Sequence, residues 1–259
     1  MRTLNLEREL DMTKIYEALE NAQKGRKGFE RPEVPSSDGP IIPSFHPPIA
    51  SSDMEEEMIS LRHTIDSVLP GPGKKIIQFI GSTEGEGTST IVREFARVSA
   101  LKFGETVLLM DADRHGPARS LFFDRNPGCG WDEVVQKGDP IDKALYQIEN
   151  TSLFVTPVSR ASVPAYQTFD SPKMLTFLEE LRKRFDLVLI DSSPANTSPD
   201  GLGLSQKVDG IVLVVEAEKT RWPVVESVKE RITRSGGKIL GIVFNKRRYH
   251  IPEWIYKRL

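Results

Sequence analysis

One cysteine in 259 residues leaves no partner for a disulfide within the chain. Cys129, flanked by Gly128 and Gly130, therefore fits a reducing compartment. No histidine or second thiol lies near it in sequence, so it reads as a turn residue and not as a nucleophile or metal ligand. Long apolar runs are missing too. The longest, such as residues 211–215, fall well short of the roughly 18 residues that a membrane span needs. The opening MRTLNLEREL is charged throughout and lacks the apolar centre of a signal segment. A cytosolic chain is expected, one able to bind a membrane partner. Nor does one charge dominate. The 35 Lys and Arg residues against 37 Asp and Glu give a net charge of −2, with no general attraction for nucleic acid. His46, His63, His115 and His250 show no spacing that would build a metal site.

Proline is present but unevenly placed. Pro32, Pro35, Pro40, Pro43, Pro47 and Pro48 sit among serines and glycines, so residues 25–53 are expected to form an extended linker. Ahead of it, Ile15, Ala18, Leu19 and Ala22 make one stripe of a short amphipathic helix within residues 1–24. Residues 54–248 then read as one α/β domain, followed by a short tail at 249–259. Met58, Leu61, Ile65 and Leu69 form a helical stripe closed by the Pro-Gly-Pro-Gly of residues 70–73. Short apolar runs at 75–80, 106–110, 153–156, 187–190, 211–215 and 239–244 have the length and branched-residue content of buried parallel strands. Helical patterns at 89–102, 172–185 and 221–235 lie between them. This alternation predicts a parallel sheet flanked by helices, with its ligand at the carboxyl ends of the strands. No internal repeat is visible.

The segment GSTEGEGTST at 81–90 joins the first run to the first of those helices. Gly81, Gly85 and Gly87 let the backbone approach an anion, and the helix start supplies N–H groups and a positive dipole end. Ser89 stands where such a loop places a hydroxyl on Mg²⁺, and Thr90 where it meets an inner phosphate. Two further runs end in carboxylates: Asp111 and Asp113 after residues 107–110, and Asp191 after 187–190. Singly, each would be read as a cap on the next turn. Two such strands beside a phosphate loop favour a site that holds Mg²⁺ and orients an attacking hydroxyl. Asn245 ends the last run, where it reads either as a base contact or as a turn residue.

Taken together, these residues resemble the deviant-Walker-A class of P-loop proteins, which includes division-site and plasmid-partition ATPases. Within that class they are most similar to the bacterial tyrosine kinases (BY-kinases) of capsule and exopolysaccharide synthesis. The order of loop, D-x-D strand, FDLVLIDSSP (185–194), DGLGLSQKVDGIVLVV (200–215) and GIVFNK (241–246) carries the resemblance, with KIYEALENA (14–22) and EEEMISLR (55–62). The resemblance implies a P-loop NTPase-like fold and ATP or ADP with Mg²⁺ as ligands. Gly85, Glu86, Gly87, Thr88, Ser89 and Thr90 would line the nucleotide, and Asn245 would contact adenine. Ser89, Asp111 and Asp191 would serve the metal, Asp111, Asp113 and Asp191 the chemistry, and Tyr249 and Tyr256 would accept phosphate. It also implies a transmembrane chain-length or co-polymerase partner at the inner face of the membrane, and self-association or pairing with an intact kinase.

The departures bear on activity. Thr88 stands where the family places its phosphate lysine. A lysine about 4 Å from a phosphate oxygen contributes on the order of 4 kcal/mol at an effective dielectric near 20. Were all of it specific to the transition state, its loss would slow transfer about 10³-fold. Arg93, Lys102 and Arg114 are the cations considered as substitutes. In the Glu-x-x-Arg-x-x-Arg pattern of ring assembly, Glu56 and Arg62 match but Ile59 replaces the middle arginine. Residues 114–117 lack the paired arginines of the family, and only two tyrosines remain in the tail. The expectation is a nucleotide-binding pseudokinase, with an active tyrosine autokinase as the alternative and a positioning ATPase as the weaker one.

Overall fold

The computed structural model describes residues 52–71, 73–114, 129–159 and 168–247. The expected N-terminal helix, the proline-rich linker and the tail with Tyr249 and Tyr256 lie outside the described residues, apart from the last two linker positions.

Five helices and seven strands make up the described residues, with 3-10 turns at Ile141–Ala144 and Pro199–Leu202. The strands are β1 (Lys75–Gly81), β2 (Val107–Ala112), β3 (Tyr146–Gln147), β4 (Leu153–Thr156), β5 (Leu187–Ser192), β6 (Gly210–Glu216) and β7 (Ile239–Asn245). They form one sheet in the order β3-β4-β2-β5-β1-β6-β7. All six expected runs are strands, and they pair in parallel. The exception to the expected parallel sheet is β3, which adds antiparallel to β4 at one edge. Two residues are too few to leave a periodic signal in sequence.

The helices are α1 (Ser52–Val68), α2 (Thr88–Lys102), α3 (Trp131–Lys137), α4 (Pro172–Arg184) and α5 (Trp222–Arg234). Every residue of β2 and β5 is buried, because both faces of the sheet are covered. On one face, Met58 and Ile65 of α1 join Ile91, Val92, Phe95 and Val98 of α2 over Ile77, Phe79 and Leu109. On the other, α3 and α4 cover Leu108, Met110 and Ile190, and α5 covers Leu213 and Val215. The α4 helix starts where Ser171 accepts from the Lys173 N–H with Pro172 in the first turn. Its basic end is tied down: Arg182 forks onto Asp209 at 2.8 and 3.0 Å, and Arg184 onto Asp142 at 2.9 and 2.6 Å.

Chain order places the site. From β1 the chain crosses through α2 to β2 on one side, whereas β6 lies on β1's other side. The β1 carboxyl end is thus a switch point, where adjacent connections diverge and leave a crevice.

Candidate nucleotide site

At that crevice β1 runs into the 81–90 loop. Gly85 and Gly87 have φ of 82° and 89°, in the left-handed region that side chains disfavour. Space compounds the requirement at Gly87, where an added Cβ would collide with the Asn245 amide. Gly87 is also the N-cap of α2, with no side-chain cap and no acidic residue in the first turn. A helix start left open in this way favours an anion.

The loop is held from behind by a carboxylate. Glu86 is almost fully buried, and its oxygens accept from Ser82 N (2.5 Å), Thr83 N (2.9 Å), Ser82 Oγ (2.6 Å), Thr220 Oγ1 (2.6 Å) and Glu216 N (3.4 Å). Expected to line the nucleotide, Glu86 instead turns its side chain toward the start of the loop and the β6–α5 connection. Thr88 is buried as well, its hydroxyl tucked against Gly81. Asn245 at the end of β7 donates from Nδ2 to the Glu86 carbonyl (2.8 Å) and accepts at Oδ1 from Lys246 N (2.9 Å). An amide has two donors and two lone pairs, so one of each remains for a base edge.

The expected acids converge beside the loop. Asp111 and Asp191 are direct register partners on neighbouring strands β2 and β5, and both are buried. Asp113 accepts from Ser193 Oγ at 2.7 Å, and its own N–H donates to Asp111 Oδ1 at 3.0 Å. Neither Asp191 oxygen has a partner in hydrogen-bond geometry, although the Ser89 hydroxyl lies near enough to favour its charged form. Burial first, and the Asp111 charge second, push the Asp191 carboxyl well above the usual range. An orphaned buried carboxylate facing a loop hydroxyl fits a cation. Among the described residues no three His, Cys, Asp or Glu side chains form a complete metal cage. Mg²⁺ takes one or two protein ligands and completes its shell with water and phosphate oxygens, a demand that Asp191 and Ser89 would meet.

No protein-family model matches the chain. The tyrosine-protein kinase CpsD of Streptococcus pneumoniae is 29% identical over 183 residues, spanning 69% of this chain and 78% of that protein. The putative tyrosine-protein kinase CapB of Staphylococcus aureus is 26% identical over 167 residues, 64% of this chain and 73% of that one. The crystal structure of the chimerical protein CapA2B2 superposes with a TM-score of 0.69 at 23% identity, covering 81% of this chain and 95% of that one. In sequence the chain is similar to these bacterial tyrosine kinases, and it shares the fold of the CapA2B2 structure.

Against that family's pattern, the position of each cation matters. Lys102 lies at the far end of α2, roughly 20 Å from the loop at 1.5 Å per residue, and its ammonium pairs with Glu55 of α1 at 2.7 Å. Arg114 pairs with the buried Asp132 at 3.1 Å. Arg93, one turn beyond Ser89, is buried between α2 and the sheet, and burial lowers its pKa even though Glu94 and Asp191 support its charge. It acts on Asp191 from within the core and is not exposed toward the loop's mouth. Sequence reasoning passed over Lys246, whose Nζ donates to the Gly85 carbonyl at 2.5 Å and approaches Glu216 at 3.3 Å. Its place directly after Asn245 was the available clue, but the contact joins positions 161 residues apart.

The α1 helix, which carries Glu56, Ile59 and Arg62, is engaged within the chain. Arg62 of α1 bonds both oxygens of Glu105, donates from Nε to Asp66 at 2.9 Å and lies 5.3 Å over the Phe103 ring. Ile59 is half-buried against the core, and Glu56 is exposed. Cys129 is half-buried, and burial raises its thiol pKa, away from the reactive thiolate.

Proposed function

We propose that this chain binds Mg·ATP or ADP at the 81–90 loop and, with impaired phosphotransfer, regulates polysaccharide polymerisation and export from the cytoplasmic side of a transmembrane partner. The observation that carries this reading is the threonine at position 88. It is buried against Gly81, while the glycine turn, the uncapped α2 start and the three aspartates around it are intact. A cradle of backbone N–H groups binds phosphate without the lysine, so affinity is reduced and chemistry suffers more.

In this reading Ser89 and Asp191 hold the metal, with Asp111 beside them. Mg²⁺, when bound, supplies charge neutralisation at the phosphate oxygens. Thr90 meets an inner phosphate, and Asn245 offers its remaining donor and acceptor to adenine. The reading places the chain beside a co-polymerase or chain-length protein, with self-association or pairing with an intact kinase as the means of regulation; the similarity to tyrosine kinases supports the kinase-like part of it. A second reading, an active autokinase acting on Tyr249 and Tyr256, is favoured by the assembled aspartates. There Asp113 would orient the attacking hydroxyl. A positioning ATPase is the weaker alternative, since the relatives reported above are kinases by name.

Calorimetry with millimolar Mg·ATP should give saturable heat that Ser89→Ala diminishes, while radiolabelled ATP leaves no phosphotyrosine on the full chain. Rapid tyrosine labelling would favour the active kinase. Absence of binding would overturn both kinase-family readings.

A further inference from the structure

Thr88 leaves the loop without a cationic arm of its own. Of the three cations suggested by sequence, Lys102 and Arg114 pair with Glu55 and Asp132, and Arg93 is buried in the core where it acts on Asp191. Lys246 is bound to the loop backbone directly. We propose that Lys246 serves the nucleotide phosphates in place of the absent lysine at position 88, an inference that rests on the nucleotide-binding reading.

Its backbone is the first sign. Lys246 has φ of 57°, a left-handed conformation uncommon outside glycine, asparagine and aspartate. That turn is pinned on both sides, by Lys246 N donating to Asn245 Oδ1 at 2.9 Å and by Ala217 N donating to Asn245 O at 2.8 Å. The strained turn aims the side chain back across the loop, where the ammonium meets the Gly85 carbonyl at 2.5 Å. Gly85 begins the three-residue stretch Gly85-Glu86-Gly87 that leads into the open start of α2.

Charge counting is the second. An ammonium has three donors; Gly85 and Glu216 take two, leaving one for a phosphate oxygen. Glu216 does not neutralise Lys246 alone, because Lys219 holds the same oxygen at the shorter distance of 2.9 Å. Two lysines share that one carboxylate, so Glu216 cannot cancel both of their charges. Lys246 is 47% exposed, which leaves its arm room to shift toward an arriving anion. The same exposure screens its charge, so a loss of about tenfold in affinity is expected where a buried cation would give more.

The test compares Lys246→Met, Lys246→Arg and the wild type by calorimetry, with Mg·ATP and with adenosine as probes. We expect Lys246→Met to weaken ATP about tenfold and adenosine less than twofold, with Lys246→Arg retaining most of the ATP affinity. Adding Thr88→Lys to Lys246→Met should restore ATP binding, since the usual lysine then supplies the charge. Equal losses for ATP and adenosine would overturn the proposal, because the side chain would then serve the base or the loop's shape. Unchanged ATP affinity in Lys246→Met would overturn it while leaving the nucleotide reading standing. A wild type that binds neither probe would defeat both. Thermal melting of each variant checks the fold, which a half-exposed side chain is not expected to disturb.

Discussion

Replacing Asp191 by asparagine keeps the shape of a buried side chain and removes its charge, so it isolates the cost of holding that charge in the crevice. Asp111 and Asp191 are register partners on adjacent strands, whose backbones lie about 4.8 Å apart. At an effective dielectric near 20, two carboxylates at that spacing repel by about 3.5 kcal/mol. Neither Asp191 oxygen recovers this through a hydrogen bond, although Arg93 and the Ser89 hydroxyl offset part of it. The expected net gain for Asp191→Asn is about 2 kcal/mol, or about 4–8 °C in Tm for a domain near 200 residues. The gain should depend on pH. Burial and Asp111 raise the folded-state pKa of Asp191 above its ordinary value of 3.8. Below that value both states are protonated and the charge costs nothing; as pH rises through the folded pKa, the native state must ionise a buried group and stability is lost. Scanning calorimetry in EDTA should therefore separate the two proteins at about pH 8 and bring them together near pH 4. A variant no more stable than wild type at pH 8, or equally stabilised at both pH values, would refute the reasoning. Mg·ADP should reverse the order, raising the wild-type Tm and leaving the variant almost unmoved.

Two further substitutions test how the site is supported. Glu86→Ala strands five donors in and behind the loop and should cost at least about 3 kcal/mol in urea unfolding, with a parallel loss of nucleotide affinity. If stability is unchanged, the carboxylate does not hold the loop. Arg62→Ala removes the fork to Glu105, the Asp66 pair and the stack on Phe103, and should lower stability by about 2 kcal/mol, below the full cost of a buried pair because Asp66 is partly exposed. A fall in oligomer size by light scattering with no change in stability would instead place Arg62 at a subunit interface.

The strands and the loop were legible because their signals are local. Runs such as 187–190 are apolar throughout, since both faces of the sheet are covered. A glycine turn between a strand and a helix is written in consecutive residues. Elements with short or weak patterns were not legible. The two-residue β3 has no period to detect, and the α3 helix is only one and a half to two turns long.

Sequence by itself determined which residues end the strands, and therefore that Asp111, Asp113 and Asp191 would lie at one edge of the sheet with the loop. It also showed that position 88 has no lysine. Tertiary structure alone decided what surrounds these groups. The Glu86 carboxylate accepts from Thr220, 134 positions away, and Lys246 reaches Gly85 across 161. Arg62 closes on Glu105, 43 residues on, and is thereby engaged within the chain. Those contacts join residues carried by different elements, and their partners depend on strand order and crossover direction. Periodicity along the chain carries no record of either.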